Sequence, residues 1–274
     1  MARPDPWLRR LGWHLSLAAT AVALLLPVTL AVLGSFKPAN ALYDADPLPT
    51  RPTLANYRTA IGQFPLGPLL GNTLITATSV MVLQLAVATL AAYALVRFRT
   101  RAGQVMLLGG TVAVLIPAQA LLMPQFFLVA RLGWLNSYPG LIVPQLSGCA
   151  VALLLLRQHV RAIPASLCEA ALLDGANSGQ VLWHIVLPVL RPALAAVAVL
   201  VFINTWNEYL WPLIVTPDAS HGTIQVGLAL FGNAEGANPG PLLAAATLST
   251  LPVLVGYLFS ARRVTGAFLY AGFE

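Results

Sequence analysis

The chain is dominated by long apolar stretches that short polar segments separate. Six of these stretches approach the length of about 20 residues that a helix needs to cross the hydrocarbon core of a membrane. They cover roughly residues 13–33, 68–96, 105–130, 140–156, 193–216 and 242–261. This pattern predicts an all-α membrane protein with six transmembrane helices in a single domain, residues 1–274.

Prolines in the third and fourth predicted spans are candidates for kinks. Pro117 and Pro124 lie in the third span, and Pro144 lies near one end of the fourth. Proline removes a backbone hydrogen bond, and neighbouring helices have to satisfy the freed carbonyl. We therefore expect kinks in both spans.

Composition agrees with a membrane protein. Hydrophobic residues make up 58% of the chain and charged residues 9%, whereas about a quarter of the residues of a soluble protein are charged. The net charge of +6 could indicate a nucleic-acid partner, but the basic residues lie at the edges of the apolar stretches. Anionic lipid headgroups are the better explanation for basic residues in that position.

The distribution of basic residues predicts the orientation of the chain, because Lys and Arg collect in short cytoplasmic loops. With the N-terminus placed inside, 11 of the 15 basic residues fall inside. The others are Lys37, Arg51, Arg58 and Arg131. Both termini and the loop 157–192 are therefore expected to face the cytoplasm.

The chain shows no sign of enzymatic chemistry. It has no glycine-rich phosphate loop, and Lys37 is its only lysine, so it has no lysine to hold ATP in such a loop. The histidines are scattered without zinc-ligand spacing, and Cys149 and Cys168 are not expected to form a disulfide. We expect no catalytic residue, no metal site and no cofactor bound by this chain.

The most soluble-looking segment lies in the 157–192 loop. Pro164 suits the first turn of a helix, and Ser166 and Glu169 have the spacing of a capping box. Asp174 and Gly175 then predict a helix end, with Gly175 in the left-handed conformation. A second, mostly apolar helical run follows.

This loop also carries a longer motif, Glu-Ala-Ala-x3-Gly-x9-Ile-x-Leu-Pro. It is similar to the motif of the membrane subunits of binding-protein-dependent ATP-binding cassette (ABC) importers. We therefore call residues 157–192 the EAA loop. The motif consists of Glu169, Ala170, Ala171, Gly175, Ile185, Leu187 and Pro188.

The resemblance implies a type I ABC importer permease in a bacterial inner membrane. Its expected partners are a second permease subunit, two ATPase subunits that bind ATP and Mg²⁺, and an external solute-binding protein. The EAA loop would couple ATPase closure to alternating access, with Ser166 and Asp174 contributing beside the motif residues.

Polar residues within the spans are candidates for a solute pathway. Glu208 is the only acidic residue in a predicted span, where burial of a charge is costly; it either serves function, is solvated near the interface or has a structural partner. The amides Asn72 and Gln84 could line a pathway or bond to a neighbouring helix. Trp206, Tyr209 and Trp211 are expected to form an aromatic belt at the membrane interface. The pathway candidates are Asn72, Asn204, Trp206, Asn207, Glu208 and Tyr209.

The predicted external segment after the first span contains a candidate short helix with Thr53 as its N-cap. This helix would either contact the binding protein or simply pack on the bundle. This segment and the run Asn-Glu-Tyr-Leu-Trp-Pro resemble those of sugar permeases. Three other functions stay open: import of glycerol 3-phosphate or phosphodiesters, ion-coupled secondary transport through Glu208, and a purely structural membrane scaffold.

Overall fold

A computed structural model describes residues 6–38, 46, 48–98, 100–218, 220–235 and 239–271. These residues form helices and connecting turns, with no strand among them. The helices are α1 (Pro6–Ser35), α2 (Ala55–Gln63), α3 (Leu66–Arg97), α4 (Arg101–Leu115), α5 (Ala118–Arg131), α6 (Tyr138–Ile142), α7 (Cys149–Ala162), α8 (Ala165–Leu173), α9 (Ser178–Val181), α10 (Leu187–Trp206), α11 (Leu210–Val215), α12 (Ile224–Glu235) and α13 (Pro239–Ala271). A 3₁₀ turn, Pro144–Gly148, precedes α7, and a π turn, Leu182–Val186, precedes α10.

The described residues include 5 helices that are long and apolar enough to cross a membrane, and 6 if a bent pair counts as one span. The bent pair is α4 and α5, and the chain direction changes by 105° at the break between them. Ile116 is extended at this break (φ −77°, ψ 120°), because the residue before a proline avoids the helical region. The kink expected at Pro117 is therefore present, and it is sharp.

The predicted stretch 193–216 is divided into two helices. Helix α10 ends at Trp206, and α11 begins at Leu210. The candidate span at this place is Ser178–Trp206, so it begins well before the predicted stretch and ends before Glu208. Glu208 consequently lies in the break between two helices.

The chain divides into two compact units. The first contains the described residues up to 66 together with 228–251. In it, Asn56 of α2 donates to the carbonyls of Ser35 (2.9 Å) and Lys37 (2.8 Å). Helix α2 is thereby fixed to the end of α1.

The prediction that Thr53 is the N-cap of this helix is wrong by one position. The N-cap is Leu54, although the hydroxyl of Thr53 accepts a bond from the amide of Ala55 at 3.1 Å. The hydroxyl bonds two residues ahead in a turn of its own, and the helix begins after that turn.

The second unit contains residues 67–227 and those from 252 onward. Its core is formed by α3, α7, the π turn and α10. Small side chains on α3 let the helix backbones approach closely, as is usual in membrane bundles. Fully buried members of this core include Val80, Ala88, Ala92, Leu156 and Leu190.

Candidate functional site

The first helix of the EAA loop begins earlier than the capping-box pattern predicts. Helix α8 starts at Ala165, with Pro164 as its N-cap and no side-chain cap bond. The proposed capping box of Ser166 and Glu169 is therefore wrong. Because the chain turns helical directly after Pro164, Ser166 already lies within the first turn, and its hydroxyl is too far along the helix to cap it.

The end of α8 has the predicted glycine turn. Gly175 has φ +86°, which confirms its left-handed conformation. Its amide donates to the carbonyl of Leu172 (3.0 Å), and the amide of Ala176 donates to that of Ala171 (2.9 Å). These two bonds form a Schellman motif, which satisfies carbonyls that the helix end would otherwise leave free.

A capping box does occur in the loop, at the start of α9. The side chain of Asn177 accepts from the amide of Gln180 at 2.9 Å, and the side chain of Gln180 accepts from the amide of Asn177 at 2.8 Å. The spacing of Asn177 and Gln180, three residues apart directly after the glycine turn, is a signal that could have been found in the sequence. The Schellman turn therefore closes the end of α8, and the capping box closes the start of α9 a few residues later.

The EAA loop exposes apolar and acidic side chains together. Leu173 is 90% and Trp183 is 69% exposed. Glu169 and Asp174 are exposed too, and within the described part of the chain neither has a hydrogen-bonded or ionic side-chain partner. A neighbouring hollow of about 420 Å³ is lined by Ala171, Asp174, Gly175, Ala176, Gln180, Val181, His184 and Ile185.

Of the other motif residues, Ile185 and Leu187 pack against the buried core. Pro188 lies in the first turn of α10, where its missing amide hydrogen costs little. Ala170 is exposed and Ala171 is half-buried. The motif therefore divides into residues that anchor the loop to the bundle and residues that face outward.

A second polar region lies where α10 ends. Asn207 donates from its side chain to the carbonyl of Ile203 at 2.9 Å. The carboxylate of Glu208 accepts a bond from the backbone amide of Trp211 at 3.2 Å. The carbonyl of Ile203 also accepts from the backbone amide of Asn207, whereas the amide of Trp211, in the first turn of α11, is one that the helix itself leaves free and that Glu208 satisfies.

Glu208 borders a cavity of about 280 Å³, which we call the Glu208 cavity. Of the predicted pathway residues, Asn204 and Glu208 line it, whereas Asn72, Trp206, Asn207 and Tyr209 do not. Sequence reasoning missed Gln125, Gln145 and Thr205, although Gln145 directly follows a proline in an apolar span and could have been suspected for that reason. The polar lining residues are Gln84, Gln125, Gln145, Ser147, Asn204, Thr205 and Glu208.

Asn72 has a structural position instead. Its side chain donates to the carbonyls of Ser220 (2.9 Å) and Gly222 (3.1 Å) and accepts from the hydroxyl of Tyr138 (2.7 Å). We call these four residues the Asn72 network. It ties the beginning of α3 to the segment before α12.

The predicted aromatic belt is wrong for its two tryptophans. Trp206 and Trp211 are 2% and 3% exposed, so neither ring lies on the outer surface of the chain, although Trp211 also lines the Glu208 cavity. The indole of Trp211 donates to the carbonyl of Gly140 at 3.1 Å inside the protein. Only Tyr209 of the three is exposed, at 37%.

Comparison with known proteins identifies the family of the chain. The model of the family "Binding-protein-dependent transport system inner membrane component" matches residues 84–264. The chain belongs to this family. It is therefore a non-catalytic inner membrane component of such a transport system, and the matched region contains both the EAA loop and the Glu208 cavity.

Two curated relatives and one solved structure extend the comparison. The permease is 36% identical to the sn-glycerol-3-phosphate transport system permease protein UgpE of Yersinia pestis, covering 72% of this chain and 71% of that protein. It is 29% identical to the diacetylchitobiose uptake system permease protein NgcG of Streptomyces coelicolor, covering 93% and 85%. A chain of a bacterial ABC transporter involved in alginate import matches with a TM-score of 0.81 at 24% identity, covering 96% of this chain and 99% of that one. The structural likeness shows that the fold is shared.

Proposed function

We propose that the chain is one of two permease subunits of an ATP-driven importer for a sugar or sugar-like solute. A second permease, two ATPase subunits and an external solute-binding protein would complete the assembly. ATP and Mg²⁺ would bind to the ATPase subunits. The observation that carries this proposal is the family match across a region whose EAA loop exposes Leu173, Glu169 and Asp174 without partners in the described chain.

The EAA loop is suited to pass a movement from an ATPase subunit to the bundle. Helix α8 ends in a Schellman turn, and α9 starts directly afterwards with a capping box. Because hydrogen bonds close the junction between the two helices, we expect α8 and α9 to move together. Ile185 and Leu187 anchor its far end in the core, so a displacement of α8 would reach α10.

The exposed Leu173 provides the most direct test of ATPase docking. Leu173→Ser should weaken copurification of the ATPase subunits by about tenfold or more, because a leucine seated in a partner's pocket contributes more than 1 kcal/mol. The matched control is Leu48→Ser, which changes another exposed leucine outside the loop. Equal ATPase recovery for both variants would contradict the docking assignment.

Transport is tested with Gly175→Pro and Glu169→Lys. Proline cannot adopt a φ near +86°, so the first variant breaks the turn that ends α8. The second reverses a charge on the exposed face of α8. Both variants should insert into the membrane at normal levels and lose ATP-dependent uptake; normal uptake by both would refute the coupling role.

The solute class rests on the relatives. One relative is named for glycerol 3-phosphate and another for diacetylchitobiose. The identity to the glycerol-3-phosphate permease supports a phosphate ester as the second candidate solute. Uptake of labelled sugars and of glycerol 3-phosphate into vesicles containing the whole assembly decides between them, and uptake that persists without the ATPase subunits would support ion-coupled transport instead.

A further inference from the structure

Three interruptions of helical structure meet at the Glu208 cavity. Ala118, the first residue of α5 after its break with α4, lines the cavity, the 3₁₀ turn contributes Pro144 and Gln145, and the break after α10 contributes Glu208. Irregular backbone at membrane depth is tolerated only where it is buried in protein or lines a polar cavity. The convergence of three such breaks therefore marks a cavity that holds polar groups.

Two glutamines stabilise the walls of this cavity. Gln84 donates to the carbonyl of Gln145 at 2.7 Å, and Gln125 donates to that of Pro144 at 3.4 Å. Both carbonyls belong to the 3₁₀ turn. These amides are therefore occupied in holding the backbone.

The side chains on the α10 side of the cavity are free by comparison. Asn204 and Thr205 make no side-chain hydrogen bond within the described part of the chain, and Glu208 uses one oxygen for the amide of Trp211. An amide, a hydroxyl and a carboxylate together offer donors and acceptors. This is the chemistry that binds the hydroxyl groups of a polyol.

Size and charge restrict the ligand further. The volume of about 280 Å³ lies just below the range of about 300–1,000 Å³ for small-molecule sites, so the cavity has room for a small ligand only. Among the described lining residues, Glu208 is the only ionisable side chain, and none is Lys, Arg or His. An anionic group would therefore meet a carboxylate with no cation to offset it.

We propose that the Glu208 cavity binds a single uncharged sugar ring and that Glu208 disfavours anionic solutes. This proposal rests on the proposed import function and names the solute class for this chain. It favours neutral sugars over the phosphate ester that the second candidate function would require.

The charge of the cavity is tested by cysteine labelling in membrane vesicles that contain the whole transporter. In a background carrying Cys149→Ala and Cys168→Ala, Asn204→Cys is treated with a cationic and with an anionic methanethiosulfonate of similar size, and labelling of this chain is measured by mass spectrometry. The cationic reagent should react about tenfold faster, because a cleft with one sign of charge concentrates counter-ions. Glu208→Gln should remove most of that preference, whereas the preference at Leu48→Cys should not change.

A preference that Glu208→Gln leaves unaltered would overturn the charge assignment. Thr205→Cys provides a second labelling position if Asn204→Cys does not assemble. The same outcomes apply to it.

Binding is tested by protection of the introduced cysteine. Glucose and N-acetylglucosamine at millimolar concentration should slow labelling by severalfold, and glucose 6-phosphate should not. Absence of protection by any sugar overturns the binding site, and equal protection by glucose 6-phosphate overturns the charge selection. Labelling requires neither ATP nor the binding protein, so these failures can occur while ATP-dependent sugar uptake is intact. Sugar uptake that no longer requires ATP would instead refute the proposed function.

Discussion

The Asn72 network and the EAA loop are both polar regions of one helical bundle, but they use polarity in opposite ways. In the network, both ends of the buried amide of Asn72 have partners in the same chain, and these partners lie 66 to 150 residues away. In the loop, Glu169 and Asp174 are exposed beside the apolar Leu173. The network is complete within the chain, whereas the outward face of the loop is suited to another chain.

This difference predicts where substitutions act. A change in the network should reduce the stability of the isolated subunit, because nothing else can replace the lost bonds. A change in the loop should affect stability only where it alters the turns inside the loop. The four predictions below test this contrast through the free energy of unfolding in detergent.

Asn72→Leu should have the largest effect. It removes the partner of the hydroxyl of Tyr138 and of two carbonyls, of which that of Gly222 is buried, and an unsatisfied buried group costs about 1–3 kcal/mol. We expect a loss of about 3–5 kcal/mol, measured by denaturant titration of the purified subunit.

The matched control for Asn72→Leu is Asn204→Leu. Asn204 is exposed and makes no side-chain hydrogen bond within the described residues, so its replacement should change stability by less than about 0.5 kcal/mol. A similar loss in both variants would contradict the structural role of Asn72.

Gly175→Ala should cost about 1–2 kcal/mol, since the left-handed conformation is unfavourable for a residue with a Cβ atom. Apart from its two chain neighbours, no residue has an atom within 4 Å of the added methyl group, so the cost arises from the backbone conformation. Gly175→Asn should therefore cost less, because asparagine tolerates this conformation. If alanine and asparagine destabilise equally, the φ of +86° is not the reason that glycine is needed.

Asn177→Ala should cost about 1 kcal/mol through loss of the capping box. The effect should be local, and hydrogen exchange at the amide of Gln180 should rise more than exchange in α10. Uniform acceleration along both helices would show that Asn177 does more than cap α9.

The sequence predicted the loop better than it predicted the network or the cavity. The turn at Gly175 depends on neighbours within a few residues, so a motif of short spacing is enough to locate it. The partners of Asn72 lie on segments far away in the chain, and no local pattern indicates them. For the same reason the position of Trp206 and Trp211 along a span could be predicted, but not the side of the helix on which they lie, and the break between α10 and α11 went unpredicted.

The start of α8 shows a limit even for local patterns. Ser166 and Glu169 have the spacing of a capping box, but Pro164 directs the chain into the helix one residue before the serine. A spacing rule cannot decide between two competing helix starts that lie two residues apart.

The smallest effect is expected for Ser166→Ala. Because Ser166 lies within the first turn of α8 and makes no cap bond, removal of its hydroxyl should change stability by less than about 0.5 kcal/mol, and alanine even has the higher helix propensity. The comparison is with Asn177→Ala, since both replace a candidate capping residue of the EAA loop under the same conditions. A loss near 1 kcal/mol for Ser166→Ala would restore the capping box at α8, whereas a loss confined to Asn177→Ala would show that the loop is held by the cap at its second helix.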